Sequence, residues 1–408
     1  MNRFKRVFLI VMDSVGIGAE PDADKFFNAG HNDVGSNTFV HTAEKCNGLD
    51  IPNLNAMGIR DLAPIQGTTA VDHPNTYVQS LREASNGKDT LTGHCEMMGI
   101  LTPHPLVTFT DNGFPKELVD ELSRRTGRKI IGNYSSSGTV ILTKLGEQAM
   151  KEGSLILYTS ADSVLQLAAH VGVIPLEELY RDCEIAREMT KKPEWRVGRV
   201  IARPFVGTCA KDFTRTSDRR DYALDPSGRT AMQDLQDAKK EVVAIGKIHD
   251  IFNAVGCSCS LHTTSNHDGM LQTIEFAKQG SFEGLCFVNL VEFDSSYGHR
   301  RNPEGYGKCI EEFDRDLGDL LPNLREDDLL MITADHGNDP TWWGTDHTRE
   351  RVPLLSYSKA YKNGTKLKER STFAVIGKTI LKNFDVKPSP DEIGEPIEAL
   401  LLDDPEKD

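Results

Sequence analysis

Three separate stretches of this chain share one pattern: an unbroken apolar, β-branched run that ends in aspartate and then breaks into small or turn-forming residues. They are VFLIVM before Asp13 and SVGIG, GLCFVNLVEF before Asp294 and SSYG, and DLLMITA before Asp335 and HGN. Runs this apolar and this short predict strands buried on both faces, as in a parallel or mixed sheet covered by helices. Helical spacing fills the intervals, in YGKCIEEFDRDLGDLLPNL (306–324) and in STFAVIGKTILKNF (371–384), which opens on an N-cap Ser371 and closes with Lys382. Strands alternating with helices predict an α/β sheet, whose functional groups lie beyond the carboxyl ends of the strands. Asp13, Asp294 and Asp335 are therefore expected along one edge. A single aspartate there would be read as the cap of the next turn. Three of them, two followed closely by histidine, point to a site.

The middle of the chain has a different texture. A helix at FPKELVDELSRRTG, a strand at SLILYTSADS, a helix at IPLEELYRDCEIAREMT and a strand at WRVGRVIARPFV predict a small α+β unit. Aspartate-ended strands lie on both sides of it, so the expected organisation is a core of residues 1–103 and 225–408 with a cap domain, 104–224, inserted between them. Pro103, Pro105 and the turn Asp225-Pro226-Ser227-Gly228 are the expected hinges. A length of 408 residues suits this division.

A net charge of −14 argues against nucleic acid as a partner. No apolar run approaches the roughly 20 residues that span a bilayer, and the N-terminal run stops at Asp13 without a cleavage motif, so a cytoplasmic protein without a membrane role is expected. The eight cysteines lack CxxC spacing, which predicts neither a disulfide framework nor a zinc knuckle; Cys257 and Cys259 are expected to be buried or partly buried thiols. Nothing in the sequence calls for an obligate protein partner.

The segment ITADHGNDPTWWGTDHT (332–348) adds Asp339, Asp346 and His347 to Asp335 and His336. Two ligand groups can be drawn. Asp294 and His299 flank the turn SSYG, and His347 completes an Asp-His-His set; Asp13, Asp335 and His336 form an Asp-Asp-His set. Carboxylates mixed with imidazoles suit Mn²⁺ or Zn²⁺, and the carboxylate share favours Mn²⁺, with other divalent ions possible. Two such ions about 3.5–4 Å apart are a common clamp for phosphoryl chemistry. Of the other histidines none is expected as a ligand, though His94 stands close to the candidate nucleophile. That nucleophile is a threonine in SNGKDTLTGHCEMMG (85–99), because metal binding favours the alkoxide of an otherwise weak hydroxyl. Thr92 also reads as a plain helix N-cap. These residues alone leave Thr90 and Thr92 both open.

The blocks VMDSVGIG, GKDTLTGH, GRVIARPFVG, FTRT, DYAL, IGKI, FDSSYGHRR and TADHGNDPTWWGTDHTRE, in this order, resemble the phosphopentomutase family of the alkaline phosphatase superfamily over essentially the whole chain. TADHGND alone indicates the superfamily; GKDTLTGH and GRVIARPFVG narrow it. The resemblance implies an alkaline-phosphatase-like core, with a central, mostly parallel sheet flanked by helices. It implies two Mn²⁺ per chain, one on Asp13, Asp335 and His336 with Thr90 bridging, the other on Asp294, His299 and His347. It implies Thr90 as the nucleophile, carried as phosphothreonine and primed by glucose 1,6-bisphosphate or a similar sugar bisphosphate. Ser160 and Asp162 match positions that contact the sugar. The implied reaction interconverts α-D-ribose 1-phosphate, or its 2-deoxy analogue, and the 5-phosphate through a bisphosphate. Cys95 and Glu292 depart from the family pattern, where tryptophan and aspartate are usual.

A sugar bisphosphate needs a cationic pocket besides the metals. Arg196, Arg199 and Arg203 are expected along one strand, with Lys211, Arg215, Arg219 and Arg220 beyond it, and arginine's planar fork suits phosphate. Strand alternation puts Arg199 and Arg203 on one face and Arg196 on the other. Arg199 and Arg203 are therefore the better pair of substrate-binding candidates, Arg215 is a further one, and the insert is expected to close over the sugar and keep water from the phosphoenzyme. The rival readings are a two-metal phosphohydrolase, which has no need of these arginines, a cofactor-independent phosphoglycerate mutase using Ser14, and a binding protein with structural metals only.

Overall fold

The structure is a computed structural model that describes residues 3–160, 163–279 and 281–408. The chain forms two compact units, one from the segments up to Pro105 and from Pro226 onward, the other from Leu106 to Asp225.

The first unit is built on a seven-stranded sheet. Its middle strand, Arg6–Met12, is buried along its whole length, as its apolar composition requires. Parallel strands Gly284–Leu290 and Asp328–Thr333 flank it, with Met12 opposite Leu290 and Val11 opposite Thr333. The three apolar runs that precede the aspartates are thus adjacent strands ending at one level. Glu241–Gly246 and Cys259–Leu261 extend the sheet in parallel on one side, and Val352–Tyr357 and Thr76–Leu81 complete it antiparallel on the other. At the end away from the aspartates, the buried Arg6 guanidinium donates to both carboxylate oxygens of its cross-strand neighbour Asp328, at 2.7 and 2.5 Å, which reinforces the register.

Three local expectations need correction. The strand before Asp294 stops at Leu290, and Asp294 lies in a π-helical turn, Phe293–Gly298. Such turns concentrate at functional sites, because the widened coil re-aims side chains. The helix expected to open on Ser371 begins at Val375 behind Ala374. Thr372 Oγ1 and the Phe373 amide donate to buried Glu96, and that tether holds the first residues out of the coil. Finally, Cys259 is exposed and Cys257 half-buried; among the described residues no cysteine forms a disulfide.

The second unit carries a six-stranded mixed sheet, in the order Arg220–Ala223, Arg199–Val206, Val164–His170, Leu155–Thr159 and Ile130–Ser135, with Thr214–Arg215 paired to Arg199–Val206. Helices Lys116–Thr126, Gly138–Glu152 and Leu176–Met189 belong to it, and it has a core of its own around Leu118, Leu157, Leu167 and Leu179. Arg196 lies outside the strand expected to hold it, because residues 193–195 form a short 3-10 turn first. Among the described residues no helix is long and apolar enough to cross a membrane.

A buried charge cluster braces the first unit beside His347. Arg349 donates to the carboxylates of Glu83 at 2.8 Å and Asp22 at 3.1 Å, and to the Ser85 and Gly87 carbonyls at 2.9 and 2.6 Å. Glu20 accepts from the Glu83 amide at 2.6 Å, and burial pushes its carboxyl from 4.5 up to about 7 against the pull of Arg349. Between about pH 4.5 and 7 the folded chain therefore holds a proton that the unfolded chain has released. The resulting cost, on the order of 1–3 kcal/mol, is absent below that window and complete above it. In metal-free protein Glu20→Gln should flatten the fall of thermal midpoint from about pH 5 to about pH 7 relative to the unsubstituted chain. Parallel curves would contradict this.

Candidate metal centre

The turn after the middle strand starts the site. Ser14 has a φ of +72°, a left-handed conformation uncommon outside glycine, and its amide donates to Asp335 Oδ1 at 2.9 Å. Asp13 is thereby set beside Asp335. Donor atoms of Asp13, Asp335 and His336 all lie within 4.8 Å of one another, as do those of Asp294, His336 and His347. His299 joins the second group: its Nε2 is 3.0 Å from Asp294 Oδ2 and 3.1 Å from His347 Nε2. The two sequence-derived sets are thus contiguous, and His336, assigned to one of them, stands within reach of both.

The donor chemistry fits divalent cations. Nδ1 of His336 donates to the Gly337 carbonyl at 3.0 Å and Nδ1 of His299 to the Thr345 carbonyl at 2.7 Å, which turns each Nε2 inward. Asp13 Oδ1 is buried without a hydrogen-bond partner 3.5 Å from His336 Nε2, and buried Asp335 Oδ2 lies 3.4 Å from the same nitrogen and 3.2 Å from His94 Nδ1. Leaving a carboxylate oxygen without a partner costs several kcal/mol unless positive charge compensates. Burial, then Asp335 and Asp294, push Asp13 up to about 7. Burial lowers His336, but Asp335, Asp13 and Asp294 outweigh it and hold the imidazole near 9. For Asp335 and Asp294 burial is the largest influence and acts upward, yet the neighbouring histidines keep both below the usual carboxylate range. Carboxylates and imidazoles gathered this closely are the donor types that divalent cations take.

Thr90 and Thr92 are separated by the helix that carries them. Asp89, not Thr92, is the N-cap of Thr90–Met97; its carboxylate accepts from the Thr92 amide at 3.1 Å and the Thr92 hydroxyl at 2.7 Å. The Thr92 hydroxyl is committed there. Thr90, at the first helical position, has its Oγ1 3.1 Å from His336 Nε2. Gly93 lets the helix come this close, since a Cβ at that position would lie 2.1 Å from the Asp335 carbonyl oxygen. His94 is fully buried behind Thr90, with Nδ1 donating to the Thr90 carbonyl at 2.8 Å. Asn289 closes the circuit: its amide nitrogen is 2.8 Å from Asp13 Oδ2 and 3.3 Å from His94 Nε2.

Sequence reasoning did not single out Asn289, Asn338, Arg301 or Arg349. Asn289 had a readable signal, as a polar residue inside an apolar strand must find partners when buried. Two carboxylates of the crowded segment stand apart from the groups: Asp339 pairs with His41 at 2.5 Å, and Asp346 faces Lys88 at 3.6 Å. Of the positions that depart from the family pattern, Cys95 is buried, and Glu292 accepts from the Asn266 amide at 2.6 Å.

In the second unit, Arg203, Arg215 and Arg219 line a cavity of about 750 Å³ with Thr139, Phe213 and Thr216. Arg203 Nε donates to Gln166 at 3.0 Å. Arg199 does not line the cavity, and its guanidinium lies 3.8 Å from Asp221. Ser160 is half-buried after the strand Leu155–Thr159, and Asp162 lies outside the described residues.

Residues 5–388 match the metalloenzyme superfamily. Two curated phosphopentomutases, from two strains of Clostridium perfringens, are each 52% identical over 402 residues, covering 98% of this chain and 100% of theirs. Among solved structures, the PH0037 protein from Pyrococcus horikoshii aligns with a TM-score of 0.49 at 14% identity, over 95% of this chain and 99% of that one. Identity at this level over nearly the full length carries the fold with it, an alkaline-phosphatase-like α/β core, and the chain belongs to the phosphopentomutase family of the metalloenzyme superfamily.

Proposed function

We propose that this chain moves a phosphoryl group between O1 and O5 of ribose or 2-deoxyribose by way of phosphorylated Thr90. The observation that carries the reading is the Thr90 hydroxyl standing 3.1 Å from His336 Nε2, against the Asp13, Asp335 and His336 group. Family membership makes the chain an isomerase acting on a pentose phosphate. Asp13, Asp335 and His336 would hold one divalent ion and Asp294, His299 and His347 a second, with Mn²⁺ preferred. Bound there, the ions would supply charge neutralisation for the transferring group and for the threonine oxygen.

In the proposed cycle, phospho-Thr90 gives its phosphoryl group to the free hydroxyl of ribose 1-phosphate. The P–Oγ bond breaks, the P–O5 bond forms, the hydroxyl proton is released, and ribose 1,5-bisphosphate results. After the sugar reorients, Thr90 Oγ takes the phosphoryl group from O1: the P–O1 bond breaks, the P–Oγ bond re-forms, O1 takes up a proton in place of the one released, and ribose 5-phosphate leaves. A sugar bisphosphate such as glucose 1,6-bisphosphate would prime Thr90 at the start. His94 keeps the backbone at Thr90 in place through its bond to the Thr90 carbonyl. For the phosphate that is not transferred, the arginines of the second unit are the candidates, Arg203 and Arg215 in their shared cavity and Arg199 on the same strand as Arg203. Ser160 and Asp162 are the candidates for the sugar hydroxyls.

The test is product analysis with Mn²⁺-loaded, bisphosphate-primed protein and ribose 1-phosphate. Accumulation of ribose 5-phosphate with little inorganic phosphate is the expected outcome. Stoichiometric release of inorganic phosphate and free ribose would replace the mutase reading with a phosphohydrolase on the same scaffold.

A further inference from the structure

We propose that Arg301 is a positioning residue for the group Asp294, His299 and His347, tying the segment that carries His347 to the turn that carries Asp294 and His299. The inference rests on the reading that this group holds a divalent ion. Arg301 follows His299 by two residues, in a left-handed backbone conformation with φ of +51°. Its guanidinium meets five oxygens. Nε donates to the Gly344 carbonyl at 2.6 Å, Nη2 to the Trp343 and Asp346 carbonyls at 3.2 and 2.8 Å, and Nη1 to the Gly298 carbonyl at 2.9 Å and to the Asn338 side-chain oxygen. An arginine has five N–H donors, and all five are used.

Those oxygens belong to every segment that supplies the group. Gly298 precedes His299, Trp343 to Asp346 lead into His347, and Asn338 donates from its amide nitrogen to Asp294 Oδ1 at 2.7 Å. The bond from His299 Nδ1 to the Thr345 carbonyl, at 2.7 Å, falls inside the stretch that Arg301 holds on either side. All five acceptors are neutral oxygens. A guanidinium beside a cation site repels the ion, so electrostatics alone would select against it here. Its fork geometry, which fixes several carbonyls at once, supplies the reason for its presence.

The test is direct Mn²⁺ binding by equilibrium dialysis on chelator-treated full-length protein, comparing the unsubstituted chain with Arg301→Met and Arg301→Lys. The unsubstituted chain should take up two ions. In Arg301→Met one of them should bind about 10- to 100-fold more weakly, the range seen when a partner that orients metal ligands is removed. The other should change by less than about threefold, a coupling too small to count as loss of that site. Arg301→Lys should be impaired nearly as much, since lysine keeps the charge but offers three donors on one nitrogen. The proposal is overturned if both sites keep their affinity, if binding tightens in Arg301→Met, or if lysine restores it, because the last two results would make the charge rather than the fork decisive. Equal weakening of both sites with a lowered thermal midpoint of the metal-free protein would also overturn it, as a general loss of structure. Should the methionine variant not fold, the lysine variant decides by the same criteria. An unsubstituted chain that takes up fewer than two ions would overturn the underlying reading of the metal group instead.

Discussion

Thr90→Ala should lower mutase turnover by at least about 10⁴-fold, the scale on which deleting a covalent nucleophile acts, while metal content stays that of the unsubstituted protein. The threonine sits at the first position of its helix, so alanine keeps the backbone while removing the methyl group and the oxygen that faces His336 at 3.1 Å. The phosphorylated form should disappear with it, seen as loss of the phosphoryl mass on the intact chain after priming. Thr92→Ala is the matched control. It deletes the 2.7 Å bond from the Thr92 hydroxyl to Asp89, which costs about 1 kcal/mol of stability, and it should leave transfer within several-fold of normal. Retained turnover in Thr90→Ala together with its loss in Thr92→Ala would reassign the nucleophile. Retained turnover in both would mean that no threonine of this helix carries phosphate.

Asp335→Asn should cost at least about 10³-fold in turnover, since it removes one charged member from the proposed, electrostatically organised metal group. Asp335 is fully buried; Oδ1 accepts from the Ser14 amide at 2.9 Å, and Oδ2 lies 3.2 Å from His94 Nδ1 and 3.4 Å from His336 Nε2. An asparagine oxygen can keep the bond from Ser14, so the turn at Asp13 should survive. What it cannot keep is the negative charge. With that charge gone, the repulsion that helps push Asp13 upward is relieved and the support for protonated His336 falls, so cation affinity drops without gross unfolding. Metal analysis of the purified variant should show one ion lost, and chelation followed by Mn²⁺ should restore turnover in the unsubstituted chain but not in the variant. Normal metal content with normal turnover would remove Asp335 from the centre.

The architecture was legible where burial forces a composition. A strand covered on both faces has to be apolar along its length, and an aspartate that ends such a run cannot stay inside it; VFLIVM-Asp13 and DLLMITA-Asp335 could be read for that reason. The position of Asp294 is not legible from the sequence because LVEF continues the apolar pattern through a π-helical turn, which has no periodicity of its own at that length. The helix start at Val375 is not legible either, because Glu96, far away in the chain, captures Thr372 and Phe373.

By itself, the sequence determined the residue types that can hold divalent cations, the strands that carry them to one end of a sheet, and, through its motifs, the family. The tertiary structure alone decided that Thr90 rather than Thr92 faces His336, that His336 stands between both ligand groups, and that Asn289 and Arg301 brace them. The reason is physical. Strand and helix patterns are imposed by local periodicity against a solvent boundary, whereas hydrogen bonds such as Asn289 to Asp13 or Arg301 to Gly344 join segments whose approach depends on the packing of the whole unit.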